Sequence, residues 1–451
     1  MEKLIIHSYK TNWGSQLMDN FLNQILQEFS IAEGELEIGG VPSSLLATDF
    51  GTPLFVYDRG ILESQWKLLR RTFPPEFGIY YSVKANPSRA VIQFFLAKGC
   101  GLEIASSGEF FQAIDAGCSP LDILFAGPGK SVSDLELVLS KNIGEIHAES
   151  FVEIERIGDI SKKLGVTAKV AIRVNPNHQA QGGAMRMGGK PTQFGIDEEL
   201  LDRALETIEN TPHIEFQGIH LFSGTQILDH MVLLNQYRKG IELASSISSQ
   251  LQRPLQTVDF GGGLGIPYFA NDHALDMGAL QYGLLDLMAQ VRSDKNFEGT
   301  RFLIEPGRYL VGNAGVYIAR VIDIKVSRNK TFVVIDGGMN HHLAASGNLG
   351  QVIKRNFPIA VLTKFNQPAE EVVNIVGPLC TPLDTIARDI RIPVPQIGDL
   401  IGVFQSGAYG RTSSPMSFLS HCSPPEVLIE NGIPRLIRRR GTIDDLFIDM
   451  Q

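Results

Sequence analysis

Residues 78–105 read GIYYSVKANPSRAVIQFFLAKGCGLEIA. The stretch opens with a short apolar run rich in Ile and Tyr, which suits a buried strand. Asn86-Pro87 ends that run, because the residue before a proline is pushed out of helical geometry and proline itself donates no hydrogen bond. Ser88 then stands in an N-cap position ahead of an apolar stripe at helical spacing over residues 88–98. Gly99 and Gly101 stop the helix, and a second apolar run begins at 101. One strand, one helix and the next strand are thus legible in 28 residues.

The same rhythm continues outward from this unit. Strand candidates fall at 78–84, 101–105, 122–126, 144–148, 169–174, 214–222, 256–260 and 301–305, with helical patterns between them at 107–116, 131–140, 150–164, 197–209 and 230–251. Eight strands alternating with helices predict an α/β fold, a (β/α)8 barrel, with a doubly wound sheet as the structural alternative. After residue 310 the helical period fades and β-rich runs with Gly and Pro turns take over, at 316–326, 331–336, 371–376, 399–404 and 426–430. The expected organisation is therefore an N-terminal segment (1–50), a barrel (51–310) and a mostly-β C-terminal domain (311–451). A strand candidate at 35–41 is expected to join that last domain, and 16–28 reads as a helix.

Composition narrows the function. The 451 residues carry 40 Lys and Arg against 49 Asp and Glu, for a net charge of −9, which disfavours a nucleic-acid surface. No apolar run approaches a membrane span, and the first thirty residues lack the pattern of an export signal, so a cytoplasmic protein is expected. The cysteines at 100, 118, 380 and 422 show neither disulfide density nor zinc spacing. Small-molecule chemistry is the class that remains.

In a barrel of this kind catalytic groups collect at the C-terminal ends of the strands. Those ends carry Lys84, Glu103, Arg173, Phe222-Ser223-Gly224-Thr225, the glycine turn Gly261-Gly262-Gly263-Leu264-Gly265, and Glu305-Pro306-Gly307-Arg308. A glycine turn lets backbone amides approach an anion, and Arg308 and Thr225 add a charge and a hydroxyl, which together describe a phosphate site. A lysine, a carboxylate and a phosphate cradle at one mouth meet the needs of pyridoxal 5'-phosphate. The lysine takes the aldehyde as a Schiff base, the carboxylate keeps the ring nitrogen protonated, and the cradle anchors the tail.

With these motifs the chain resembles the pyridoxal-phosphate decarboxylases of the diaminopimelate and ornithine decarboxylase group, which have an alanine-racemase-type barrel and β domain (fold type III). The resemblance spans residues 52–443 and rests on Tyr81-Ser82-Val83-Lys84-Ala85-Asn86, Glu103-Ile104-Ala105-Ser106, Gly261 to Gly263, Glu305-Pro306-Gly307-Arg308, Gly377-Pro378-Leu379-Cys380 and Gly407-Ala408-Tyr409. It implies that Lys84 is the Schiff-base lysine and that Glu305 faces the pyridine nitrogen. Gly263, Arg308, Thr225 and Tyr409 would serve the phosphate, with Gly224, Gly261, Gly262 and Gly307 in the same cradle, while Glu103 and Arg173 line the cofactor. Cys380 would act as proton donor in the neighbouring subunit's site, which makes a homodimer the working unit. The family's ring-stacking histidine falls at Phe222, with His220 on the same strand face one layer deeper.

Two departures bear on substrate. Thr381, with Tyr409 an expected substrate contact, stands directly after Cys380 where relatives that accept a free diamino acid carry an acidic residue. Leu343-Ala344-Ala345 follows the Asp336-Gly337-Gly338-Met339-Asn340-His341-His342 run where diaminopimelate decarboxylases have an arginine. The stretch from Ala184 to Gly195 and Cys380-Thr381-Pro382 are instead similar to the subgroup containing the glutamyl-carrier-protein decarboxylase of butirosin synthesis and decarboxylases of exopolysaccharide-export loci. The resemblance thus implies decarboxylation of an amino acid whose distal end is masked by a carrier protein or an acyl group. Rival readings are a free diamino acid as substrate, a racemase, and a non-catalytic cofactor-handling protein. Glu305 argues against the racemase, whose relatives place an arginine at the ring nitrogen, and Cys380 against the carrier. No metal is expected: His341 and His342 are adjacent in a segment read as extended and so face opposite ways. Arg186 and Lys190 belong to a lid or a solvated loop, and Arg438 to Arg440 form a solvated or subunit-facing run.

Overall fold

Eight parallel strands close on themselves in the computed structural model: β1 (Phe77–Ser82), β2 (Gly101–Ile104), β3 (Ile123–Phe125), β4 (Glu145–Ala148), β5 (Ala168–Asn175), β6 (Ile214–Leu221), β7 (Thr257–Asp259) and β8 (Arg301–Ile304). Each pairs with its successor, and β8 returns to β1 through Phe302, Leu303 and Ile304. That last pairing makes a barrel and removes the doubly wound alternative. The structure describes residues 13–177, 185–186, 191–222, 224–351 and 353–450.

The helices start where their capping residues say they should. Ser106, Ser131 and Ser150 each accept a hydrogen bond from the backbone N–H three residues on, and Asp134 answers Ser131 to complete a capping box. Ser88 precedes the helix Arg89–Leu96 without capping it through its side chain; its own N–H donates instead to Asn86 Oδ1, which shapes the turn behind Lys84. None of the described helices is long and apolar enough to cross a membrane.

The second domain is built around the long strand Gly315–Ser327, which pairs antiparallel with Lys330–Ile335 and with Leu400–Val403. Leu54–Asp58 lies on the barrel side of the expected boundary, yet it pairs with Gly315–Ser327 and with Glu426–Glu430, so the barrel proper starts at the helix Arg59–Thr72. The cause is that all five of its side chains are buried, which only a strand inside a sheet covered on both faces allows. Thr385–Ile392 and Ile433–Arg438 add strands that the sequence pattern does not announce. The segment at 35–41 is not a strand of this sheet. It folds with Ser30–Ala32 into a separate three-stranded sheet, tied to the β domain by Leu36 N–H donating to Leu362 O (2.8 Å) and by a shared core with Val316 and Ile318. The helix expected at 16–28 occupies Trp13–Leu26.

His341 and His342 lie in a turn, not an extended segment: both N–H groups donate to Gly338 O, and both rings are buried in the β domain. His342 Nδ1 accepts from Ala345 N–H, so its proton sits on Nε2, 2.9 Å from Ser406 Oγ. Burial lowers the pKa of His342 to about 3 and, with the charge of His421, that of His341 to about 4. An unfolded chain takes up protons on both rings below their ordinary 6.5, whereas the folded chain does so only near 4 and 3. Their neutral burial therefore supports the fold above pH 6.5, and that support is lost as pH falls toward those values. The melting temperature is expected to drop steeply between pH 6.5 and 4, and His342→Gln should flatten the slope while lowering stability at pH 7. Calorimetry across that range checks both, and an unchanged slope in the variant would exclude His342 as a source.

Candidate active site

Lys84 follows β1 in a single 3-10 turn, Val83–Ala85, and its ammonium lies 2.7 and 2.8 Å from the two oxygens of Glu103 at the end of β2. Ser82 Oγ also donates to Glu103, whose side chain is fully buried. Burial works against the charged lysine, but the Glu103 carboxylate, supported by Tyr409 and Glu305, outweighs it and holds Lys84 above the ordinary lysine range. The β domain closes over this turn. Tyr409 N–H donates to Ala85 O at 2.9 Å, Asn86 Nδ2 donates to Gly407 O at 3.1 Å, and Thr412 Oγ1 donates to Lys84 O at 3.4 Å.

The glycine turn after β7 is required by space and by backbone. Gly261 and Gly263 have φ of +65° and +103°, and a Cβ on Gly262 would lie 2.6 Å from Glu305 O. Gly261 N–H donates to Asp259 Oδ1, and Gly261 O accepts from Glu305 N–H, so the turn and Glu305 are set by one another. Gly307 packs where a Cβ would be 3.0 Å from Ser82 and Ala85, which brings Arg308 alongside the lysine turn. Arg308 Nη1 donates to Tyr268 OH at 3.0 Å and its guanidinium lies over the Tyr409 ring at 4.7 Å. Arg308, Thr225, Gln226, Tyr268 and Tyr409 line one side of a cavity of about 490 Å³, and Ala344, Leu349, Arg355 and Phe357 of the β domain line the other.

Arg173 on β5 donates to Glu149 at 2.7 Å, and its guanidinium faces the rings of Phe194 and Phe222 at 5.0 and 5.7 Å. Phe222 lies against the glycine turn, within 2.9 Å of where a Gly261 Cβ would stand. Beneath it Glu305 is buried with His220 Nε2 at 3.4 Å and His147 Nδ1 at 3.8 Å. These three offer ligand atoms within 4.8 Å of one another, a set that the sequence does not foreshadow.

The structure thus brings Lys84, Glu103, Arg173, Phe222, Gly224, Thr225, Gly261, Gly262, Gly263, Glu305, Gly307, Arg308 and Tyr409 to one barrel mouth. Cys380 and Thr381 are not among the residues that line the cavity of this chain. They sit on an exposed β-domain loop shaped by Asp384, which accepts from Leu379 N–H at 2.9 Å and Met339 N–H at 2.6 Å. Of the expected lid, Met185–Arg186 pairs with Gly224–Thr225 beside the cradle; Lys190 and Ser223 lie outside the described residues. His147 and Glu149 are the additions. Their signal is the alternation Glu145, His147, Glu149 along β4 and just beyond, a period of two that turns three polar side chains the same way.

The residues present fit a phosphorylated pyridine aldehyde. Among the described residues, buried Arg308 Nε and Glu305 Oε1 have no hydrogen-bond partner, one at the cradle and one at the strand end behind it. Fold and site together define a fold type III pyridoxal-phosphate enzyme. A family model described as the pyridoxal-binding domain of pyridoxal-dependent decarboxylases matches residues 59–312. A protein of Niallia circulans, L-glutamyl-[BtrI acyl-carrier protein] decarboxylase, is 39% identical over 404 residues, covering 89% of this chain and 94% of that protein. A diaminopimelate decarboxylase of Aquifex aeolicus is 32% identical over 429 residues, covering 93% of this chain and 98% of that protein. A solved diaminopimelate decarboxylase from M. jannaschii superposes with a TM-score of 0.86 at 27% identity, over 95% of this chain and 98% of that one. The chain belongs to the pyridoxal-dependent decarboxylases and is a pyridoxal-phosphate-dependent carboxy-lyase acting on an amino acid.

Proposed function

We propose that the substrate is an amino acid whose distal end is masked, by a carrier protein or an N-acyl group, and that the α-carboxylate is removed at the barrel mouth of a cytoplasmic homodimer. When bound, pyridoxal phosphate supplies an aldehyde to capture the substrate amine and a cationic ring to accept the electron pair left by departing carbon dioxide. Lys84 would hold the aldehyde between turnovers. Gly261 to Gly263, Gly224, Thr225, Gly307, Arg308 and Tyr409 would hold the phosphate, and Phe222, Glu103 and Arg173 would line the ring. Glu305 would carry the charge that favours a protonated ring nitrogen. Cys380 of the other subunit would donate a proton to Cα; in its own chain it stands exposed on a β-domain loop.

The observation that carries the substrate reading is the chemistry at Thr381. Its N–H donates to Leu379 O at 2.8 Å and its hydroxyl oxygen accepts from Leu383 N–H at 3.3 Å, so it offers no carboxylate to a distal ammonium. Ala344, lining the cavity, carries no charge, and Arg355 on the same wall lies 3.7 Å from Asp272. Leaving a distal charge unpaired costs several kcal/mol, enough for a preference of about 10² or more. Values of kcat/KM for ornithine, lysine, meso-diaminopimelate, N-acylated amino acids and carrier-loaded glutamate provide the test. A masked substrate is expected to be preferred by about a hundredfold; preference for a free diamino acid overturns the reading and returns the enzyme to the diaminopimelate type.

A further inference from the structure

Glu305 does not stand alone at the floor of the site. Three buried carboxyl groups, Glu145, Asp259 and Glu305, come from β4, β7 and the end of β8, and His147 sits among them. Its Nε2 is 3.2 Å from Glu145 Oε1 and 3.9 Å from Asp259 Oδ2, and its Nδ1 is 3.8 Å from Glu305 Oε1. Thr257 Oγ1 donates to both oxygens of Glu145, at 3.1 and 3.0 Å, and so fixes that carboxylate from below. On the other side of the imidazole, His220 lies with its ring centroid 4.3 Å away.

Three carboxylates cannot all be ionised in so small a dry volume without a cation among them. Asp259 is the one that gives way: burial first, and then the Glu305 charge, push it well above the ordinary carboxylate range. Burial, then His147 and Arg173, push His220 well below the ordinary histidine range, so it cannot supply the cation. Lys130 is nearby but turned away, its ammonium taken by Gly127 O, His147 O and Glu153. His147 has a carboxylate oxygen facing each of its ring nitrogens, Glu145 at 3.2 Å and Glu305 at 3.8 Å.

We propose that His147 is a positioning residue of the decarboxylase: with Glu145 against one ring nitrogen and Glu305 against the other, it sets the orientation of the Glu305 carboxylate toward the ring nitrogen of the cofactor. The chain of groups Thr257, Glu145, His147, Glu305 then runs from the floor of the barrel to the ring, each member orienting the next. The proposal rests on the assignment of Glu305 to the ring nitrogen. It extends that assignment to residues that touch neither substrate nor cofactor.

The test uses holoenzyme reconstituted with pyridoxal phosphate labelled with ¹⁵N in the ring. The nitrogen's chemical shift reports its protonation directly. Wild type is expected to show a protonated nitrogen. His147→Gln is expected to move the signal toward the unprotonated position and to lower kcat about tenfold to a hundredfold with KM little changed. Glu145→Gln keeps the volume but weakens the hold on the His147 ring, and should shift the signal the same way by less. It decides the matter if His147→Gln does not fold, because a packing role alone would leave the nitrogen signal unmoved. A protonated nitrogen and unchanged kcat in the folded variants overturn the proposal alone. An unprotonated nitrogen in wild type overturns the Glu305 assignment and the proposal with it. Stoichiometric metal bound by His147, His220 and Glu305 in the purified holoenzyme would also overturn the proposal.

Discussion

Lys84→Ala is expected to abolish carbon dioxide release, with a loss of about 10³-fold or more, or at least about 4 kcal/mol in the transition state. The wild-type protein should be yellow, and borohydride should fix the cofactor on Lys84. The reason is local: the lysine follows an apolar strand by a single turn and stands beside the glycine turn and Arg308, where the cofactor phosphate is proposed to bind. Recovery of the pyridoxyl label on a different lysine would remove Lys84 from this role. The same variant locates Cys380. Mixed in equal amounts with Cys380→Ala, half of randomly exchanged dimers are mixed and each contains one site with neither substitution. Activity should then recover to about a quarter of wild type. No recovery after demonstrated subunit exchange would place lysine and cysteine in one chain's site.

Glu305→Gln is expected to retain the cofactor and lose about 10²- to 10³-fold in kcat, some 3 to 4 kcal/mol. The glutamine keeps the shape of the side chain, and the phosphate cradle is untouched. What disappears is the negative charge proposed to stabilise a protonated ring nitrogen, and with it the proposed capacity of the ring to accept electrons as the carboxylate leaves. The effect should therefore fall on kcat, with cofactor content by absorbance unchanged. Near wild-type turnover in a cofactor-loaded Glu305→Gln protein would refute the electron-sink role.

Much of the site was legible because barrels make it so. Once eight βα units are counted, the residue after each strand is placed at one mouth, and Lys84, Glu103, Arg173, Thr225, the glycine turn, Glu305 and Arg308 fall together without knowledge of a single distance. The alternation of Glu145, His147 and Glu149 marks the side that Glu149 faces but not its partners, and Tyr268 carries no such signal. Glu149 matters through contacts made across the chain, accepting from Gly127 N–H at 2.7 Å, Gly195 N–H at 3.1 Å and Arg173 at 2.7 Å. Tyr268 is reached only through Arg308, forty residues later.

The alternation of strands and helices, the capping serines, the glycine turn after β7 and the place of Lys84 after β1 follow from local sequence. Each of these is governed by neighbours within a few residues, through backbone geometry and periodic burial. Long-range packing sets Leu54–Asp58 in the β domain, residues 30–42 in their own sheet, and Cys380 away from the lining of its own chain's cavity. It also places His147 among Glu145, Asp259 and Glu305. Such outcomes depend on which distant surfaces are buried together, and a strand's own residues are compatible with more than one partner. Charge balance in the barrel floor is the extreme case, since side chains from β4, β6, β7 and β8 meet there only after the sheet has closed.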